Sequence, residues 1–476
     1  MAAPAPLVSV VLPVARPPAP LEALRRLADR PRPFLRFAAA GPRDLATFSF
    51  AGSDPVDTLD AATAGPGRAD PLAALARRWP RRVRRIGPRL PFAGGWVTSI
   101  GYEVRSAIER TPPPRPAPLG FPVMSSARYD AVLAWDHRTR RVYVAGTGAT
   151  AAAARAAARR LLERVAGADA RPPTGPRVPP PRPTSHAPVP HAPVPRAPAR
   201  ATARPAVPPT AYRRRVAEIV ERIRAGDLFQ ANLSQRFDAP SVGSALDVFA
   251  ALATRSPAPF LTYLDVGDGR VVVSASPERF LALEGDRAET RPMKGTRPRG
   301  ATPAEDRRHR RDLVASVKDR AELAMIVDLA RNDLGRTCRP GSVRVVVPRR
   351  VERYATVFQG VGVVEGRLAR GATGLDLVRG AFPPGSVTGA PKVEAMKVID
   401  ALEREGRGPY CGAIGWLDDG GDLDLAVAIR TVIVARGRAS YRVGGGVTLL
   451  SDPEAERVET LTKGAALARA LAEANP

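Results

Sequence analysis

The chain has 476 residues, 44% of them hydrophobic, enough for two or three domains or one large domain with its own core. No apolar run is long enough to span a membrane, and two cysteines, Cys338 and Cys411, give neither a disulfide framework nor a cysteine-rich metal site. The formal net charge of +26 is spread along the whole chain and aromatic residues make up only 5%, which points to an arginine-rich background and away from a nucleic-acid partner.

Met1 to Pro20 is apolar but broken by prolines and has no basic start, so it is a poor signal peptide and a cytoplasmic location is expected. Phe92 to Tyr102 predicts a glycine-bent strand, and Tyr129–His137 with Val142–Ala145 predicts a hairpin. Ala151 to Val165 is helical by propensity. The segment 168–209 reads as an extended, disordered linker: it holds fifteen prolines, six arginines and one acidic residue, and repeats His-Ala-Pro-Val-Pro from His186 and again from His191. The chain therefore divides into an N-terminal domain, 1–167, the Pro/Arg-rich linker, 168–209, and a second domain, 210–476. Beyond the linker, Val216, Ile219, Val220 and Ile223 share one face of a helix over Tyr212–Ala225. Strands follow at Arg270–Ser274, Phe280–Leu283 and Arg287–Thr290, then one long helix from Leu313 to Leu334. Thr431–Ala435 and Ala439–Val443 form a hairpin, and Asp452 caps a final helix with Pro453 at its first position. Strands and helices cluster rather than alternate, so the fold class is α+β.

Of 73 basic residues only five are lysines: Lys294, Lys318, Lys392, Lys397 and Lys463. Lysine differs from arginine in that its amine can lose a proton and attack carbon. Lys294 sits between Pro292 and Gly295-Thr296, a setting that favours chemistry over a plain surface charge. Asp319 and Glu322 are three apart on one helix; Glu456, Glu459 and Lys463 share a face of the last. Taken singly these are ordinary solvated helix charges, and together they are candidate carboxylates for a hard divalent cation. The glycine runs at Gly385–Gly389 and Gly444–Gly446 can present backbone N–H groups to anions, and Tyr410 and Arg430 are further carboxylate binders.

Seven ordered stretches carry a family resemblance. They are Gly226–Phe237, Ser274-Ala-Ser-Pro-Glu-Arg-Phe280, Arg291-Pro-Met-Lys-Gly-Thr296, Lys318–Glu322 with Asp328–Gly335, Phe382–Lys392, Ala428-Ile-Arg-Thr431 and Ser451-Asp-Pro-Glu454. The chain resembles the chorismate-utilising enzymes, most of all their aminodeoxychorismate synthase component I branch, strongly over 210–472 and weakly over 90–145. The resemblance implies antiparallel sheets packed face to face with flanking helices, an N-terminal domain of the component I type, and a chorismate-binding catalytic domain. It implies that Glu322 and Glu459 hold Mg2+, with Asp319 and Glu456 near it. Gly295, Thr296, Tyr410, Arg430, the amides of Gly444, Gly445 and Gly446, and Lys463 would hold the carboxylates of chorismate. Thr388 would lie beside the ring, and Glu278 would protonate the departing C4 hydroxyl.

Two positions bear on the reaction. Gln230 stands where isochorismate and salicylate synthases resemble each other in having a lysine base for water. Lys294 stands where anthranilate synthases generally have alanine. The resemblance thus implies amination of chorismate to 4-amino-4-deoxychorismate, for p-aminobenzoate and folate synthesis, with Lys294 as covalent nucleophile. Anthranilate synthase component I and a catalytically impaired chorismate-binding paralogue are the alternatives. Neither cysteine has the context of an amidotransferase nucleophile, so ammonia is expected from a separate glutamine amidotransferase subunit. One departure stands out: Gln359-Gly-Val-Gly362 replaces the family's His-Leu-Val-Ser, and glutamine cannot carry a proton on and off near neutral pH.

Overall fold

A computed structural model describes residues 6–65, 70–80, 82–166, 203–239 and 243–475. Two large sheets carry the fold, one of thirteen strands and one of ten. Pairing is antiparallel throughout except where Leu7–Pro13 meets Val83–Ile86.

Side-chain alternation sorts the core into layers. On the strand Arg270–Ser276, Val271, Val273 and Ala275 point to one cluster and Val272 to another. The neighbouring strands repeat the split: Leu261 opposes Phe260, and Leu133 opposes Val132 and Ala134. A strand buried on both faces must be apolar on both, and these are. The outer cluster is covered by the helices Pro20–Leu27, Ala151–Ala166, Ala245–Arg255 and Pro453–Glu473. The inner cluster is the contact between the two sheets, where Phe92 stacks on Trp416 with ring centroids 5.3 Å apart. The outer face of the second sheet is covered in turn by Val317–Gly335, Gly374–Ala381 and Lys392–Glu403. The result is two sheets face to face with helices outside.

Both sheets draw strands from both ends of the chain. Phe34–Phe37 pairs with Phe260–Gly267 in the first, and Gly95–Ile100 pairs with Ala413–Asp418 in the second. Residues 6–166 and 203–475 are therefore one layered body. Of the expected linker, 168–202 lies outside the described residues. Its far end is structured: Arg204–Pro205 pairs with the strand Gln230–Ala239, and the helix Pro209–Arg224 starts there.

The expected single helix from Leu313 to Leu334 is two helices, Pro303–Ala315 and Val317–Gly335. Ser316 breaks it. Its backbone leaves the helical region at ψ 112°, and its hydroxyl accepts from the Asp319 N–H at 3.2 Å, satisfying a free donor of the second helix.

The deepest polar contacts converge on Glu403, which is fully enclosed. It accepts from Arg407 at 2.7 Å, from Arg442 at 2.8 Å, and from the Ser234 N–H and hydroxyl at 2.8 Å each. Two guanidiniums and these donors outweigh the cost of burial and hold its pKa down at about 2. Replacing Glu403 with alanine leaves Arg407 buried without a carboxylate and Arg442 with Glu405 alone. The loss expected is about 3–5 kcal/mol, read as a lower urea midpoint, and Glu403→Gln should recover part of it.

Candidate active site

The strand Met293–Pro298 lies at the end of the second sheet, paired with Val357–Arg367. Facing it are Gln230–Ala239 and Arg438–Val447 of the first sheet, with the helices Val317–Gly335 and Pro453–Glu473 alongside. Lys294, Gln230 and Gly446 meet here. A β-carbon on Gly446 would stand 2.8 Å from the Lys294 amine and 2.7 Å from the Gln230 amide nitrogen. Gln230 is completely buried, and neither its amide oxygen nor its nitrogen has a partner. A buried amide left open in this way is ready for a ligand.

The charges around Lys294 are graded. Burial is the largest influence on its amine and lowers its pKa. Glu322, Glu278 and Glu459 act against that, and Lys463 reinforces it. Glu278 is 4% exposed and accepts from the Ser386 hydroxyl at 2.6 Å. Burial pushes its carboxyl up to about 7, against the Ser386 bond and the Lys294 charge. Behind it a small cavity of about 20 Å³ is lined by Thr290, Asp333, Pro384 and Ser386 among others.

Glu456 and Glu459 lie side by side next to Gly445. A β-carbon there would meet Glu456 Oε2 at 2.6 Å and Glu459 Oε1 at 3.7 Å. Glu456 accepts from the Ser451 hydroxyl at 2.6 Å, and burial together with the Glu459 charge raises its pKa. Burial pushes Glu459 up too, but Lys463, 2.5 Å away, holds it below the usual carboxylate range. Lys463 also donates to the Gly444 carbonyl at 3.2 Å. Among the described residues no three acidic, histidine or cysteine side chains form a metal cage. The adjacent carboxylates Glu456 and Glu459 do suit a hard cation that takes one or two protein oxygens and completes its shell with water and ligand.

The other expected residues spread around this centre. Asp319 is bound by Arg297 at 3.0 Å, and its side chain packs where a β-carbon of Gly295 would stand, with φ +79° at that glycine. Glu322 faces Lys318 at 3.9 Å. Thr296 donates to Gln359 Oε1 at 2.9 Å, so the glutamine at the departure position is buried and supports the site strand. Thr388 is fully buried, but its hydroxyl is committed to the Pro384 carbonyl at 2.9 Å. Tyr410 lies beside Arg407, and Arg430 is lowered in pKa by burial and has no ion pair among the described residues. Neither Tyr410 nor Arg430 shares a hydrogen bond with the Lys294 group. Sequence reasoning missed Ser386, Ser451 and Arg297 as supports. The two serines lie within stretches it had marked, while the Arg297–Asp319 pair depends on tertiary contact.

A family model described as chorismate binding enzyme matches residues 33–469. The chain is 39% identical over 430 residues to the anthranilate synthase component 1 of Streptomyces coelicolor, covering 90% of this chain and 82% of that protein. It is 41% identical over 407 residues to the aminodeoxychorismate synthase of Streptomyces griseus, covering 83% of this chain and 52% of that protein. The crystal structure of anthranilate synthase component I from Streptococcus pneumoniae matches with a TM-score of 0.75 at 29% identity, covering 89% of this chain and 92% of that one.

The raised Glu278 pKa has a consequence for stability. The folded state binds this proton more tightly than the unfolded chain does. The burial cost is therefore absent below about pH 4.5 and grows until pH passes about 7. Glu278→Gln removes the charge but still accepts from Ser386. The variant should be more stable than the parent at pH 8 by up to about 3 kcal/mol, with the gain vanishing near pH 4. Thermal melts across that range check this.

Proposed function

Because the chain belongs to the chorismate-binding enzyme family, and because a depressed lysine amine stands in its site, we propose that it is the chorismate-aminating component of an aminodeoxychorismate synthase. The observation that carries this reading is the meeting of Lys294, Gln230 and Gly446. A neutral amine is a nucleophile for carbon, whereas an amide cannot serve as a base for water. On this reading the Lys294 amine bonds to C2 of chorismate, the ring double bond shifts, and the C4–O bond breaks. The Glu278 carboxyl gives its proton to the departing hydroxyl, which leaves as water. Ammonia then bonds to C4, the C2–N bond breaks, Lys294 is released, and the Glu278 carboxylate takes up the proton that the new amine sheds. A pKa near 7 lets one group act in both directions.

The remaining roles follow the charges. Gly295, Thr296, Tyr410, Arg430, Lys463 and the amides of Gly444, Gly445 and Gly446 bind the two substrate carboxylates, and Thr388 borders the ring. Glu322 and Glu459 hold Mg2+, with Glu456 and Asp319 beside them. The cation, when bound, offsets negative charge on the substrate. Ammonia comes from a glutamine amidotransferase subunit. Anthranilate synthase is the second reading, favoured by relatives of that name at similar identity.

Product analysis with chorismate, Mg2+ and ammonium separates the two. The expected product is 4-amino-4-deoxychorismate; anthranilate with pyruvate would overturn the proposal. Lys294→Ala should cut amination by several orders of magnitude, as loss of a nucleophile does, and Lys294→Arg should not rescue it because guanidinium stays protonated. Enzyme quenched with chorismate and no ammonia should carry a mass adduct on the Lys294 peptide. Wild-type turnover in the arginine variant would reduce Lys294 to a bare positive charge.

The metal assignment makes a separate prediction. Exhaustive chelation should abolish turnover and added Mg2+ should restore it, while Glu459→Gln stays inactive at any Mg2+ concentration yet melts like the parent. Full activity after chelation would sink the assignment.

A further inference from the structure

The reaction above uses two of the five lysines, Lys294 and Lys463. Lys318 and Lys397 are open to solvent, but Lys392 is not: 9% of its side chain is exposed. Its amine donates to Asp333 Oδ1 at 2.7 Å and to the Ala381 carbonyl at 2.8 Å. Asp333 is equally enclosed, so both charges have left water, at a cost that a surface pair does not bear. An ammonium is compact and carries three donors, which suits two acceptors on two different helices better than a planar guanidinium does.

The places of these partners in the chain give the pair a task. Ala381 ends the helix Gly374–Ala381 and Lys392 opens the helix Lys392–Glu403, so the amine closes the loop 382–391 at its base. Asp333 lies on Val317–Gly335, the helix that carries Asp319 and Glu322. One amine therefore fastens both ends of the loop to that helix. The loop packs on the same helix: a β-carbon on Gly385 would stand 2.5 Å from Leu329 Cδ2 and 3.8 Å from Asp333 Oδ2. The next residue, Ser386, donates its hydroxyl proton to Glu278 at 2.6 Å, and Glu278, Asp333 and Ser386 line one small cavity. The second half of the loop is held elsewhere, by the Asn232 N–H on the Thr388 carbonyl at 2.8 Å and by Arg407 on the Val387 carbonyl at 3.2 Å. Ser386 thus lies between a part held by Asn232 and Arg407 and a part held by Lys392.

We propose that Lys392 and Asp333 are positioning residues for the reaction: their ion pair staples the base of the loop 382–391 and so holds the Ser386 hydroxyl on Glu278. The proposal rests on the reading of Glu278 as the acid for the departing hydroxyl. A carboxyl that must deliver its proton to one oxygen loses rate once its direction is no longer fixed. Without the staple the loop keeps its second anchor, but Ser386 drifts from the carboxyl. Substrate binding does not pass through this contact, so the loss falls on kcat.

The test uses the full chain with chorismate, Mg2+ and ammonium, and follows chorismate consumption, which does not depend on the product formed. Lys392→Met is combined with Asp333→Leu, because removing one partner alone strands a buried charge whereas an apolar pair does not. This paired variant should melt close to the parent. Its kcat should fall about ten- to a hundredfold, with KM for chorismate within about twofold of the parent. Ser386→Ala should give the same fall, and adding it to the paired variant should cost less than about twofold more, because both act through one contact. Should the paired variant not fold, Lys392→Arg carries the same test, since it keeps the charge without the compact head, and its kcat should fall by the same factor. Parent kcat, a loss confined to KM, or a loss that multiplies in full with that of Ser386→Ala overturns the staple. Glu278→Gln separates the two levels and should lose turnover. If it turns over like the parent, the acid reading falls and the staple's role with it; if it fails while the paired variant is unaffected, the staple alone falls.

Discussion

One buried carboxylate ties several parts of the site together. Glu403 holds Arg407 and Arg442 between the sheets, and Arg407 reaches onward to the Asn232 carbonyl at 2.6 Å and the Val387 carbonyl at 3.2 Å. The first fixes the strand that presents Gln230, and the second fixes the loop that presents Ser386 and Thr388. Ser234, the remaining partner of Glu403, sits opposite Gly444 in the ladder. A single anion thus sets the spacing of three separate parts of the site. The N-terminal segment joins the same network. Glu103 accepts from the Arg407 and Gly408 N–H groups at 2.6 and 3.0 Å, and Tyr102 lies under the Arg407 guanidinium, 4.6 Å from its ring centroid. Such a cluster is costly to bury and costlier to break, so it favours one arrangement of the strands.

The same burial that costs stability tunes the chemistry. Lys294 and Glu278 sit near one another, and desolvation moves them in opposite directions: the amine down, the carboxyl up. Each drifts toward its neutral form at physiological pH, the form in which an amine attacks and an acid donates. The neighbouring carboxylates Glu456 and Glu459 are split, the first raised by burial and the second lowered. Lys463 keeps Glu459 charged, and the Ser451 bond works against the rise in Glu456. Separate environments a few residues apart thus serve neutral and charged groups within one site.

Much of this was legible in the sequence, for physical reasons. The strand expected at Arg270–Ser274 is present as Arg270–Ser276, and Asp452-Pro453 marked the start of the last helix, because local rules govern both. The rarity of lysine singled out Lys294. What stayed hidden depends on contacts remote in sequence. Nothing local announces that Phe34–Phe37 pairs with Phe260–Gly267, so a division of the chain into N-terminal and catalytic parts does not divide the sheets. Ser316 looked like any helical serine, yet its hydroxyl caps the second of the two helices it separates. Gln359 showed in the sequence as a lost histidine. Only the register with Thr296 reveals that its amide supports the strand carrying Lys294.

The glycine run shows how tightly these constraints are joined. Three successive residues lack a side chain, and each meets a different neighbour. A β-carbon on Gly444 would stand 2.5 Å from the Leu233 carbonyl, on Gly445 2.6 Å from Glu456, and on Gly446 2.8 Å from the Lys294 amine. The first contact is strand pairing, the second the acid side of the site, and the third the nucleophile candidate. None of the three glycines requires a left-handed backbone, since none has positive φ. Their value lies in close approach. Bare backbone lets the ladder, the carboxylates and the lysine crowd one short strand. This strand inside the first sheet is therefore also the floor of the site, and its sequence answers to both at once.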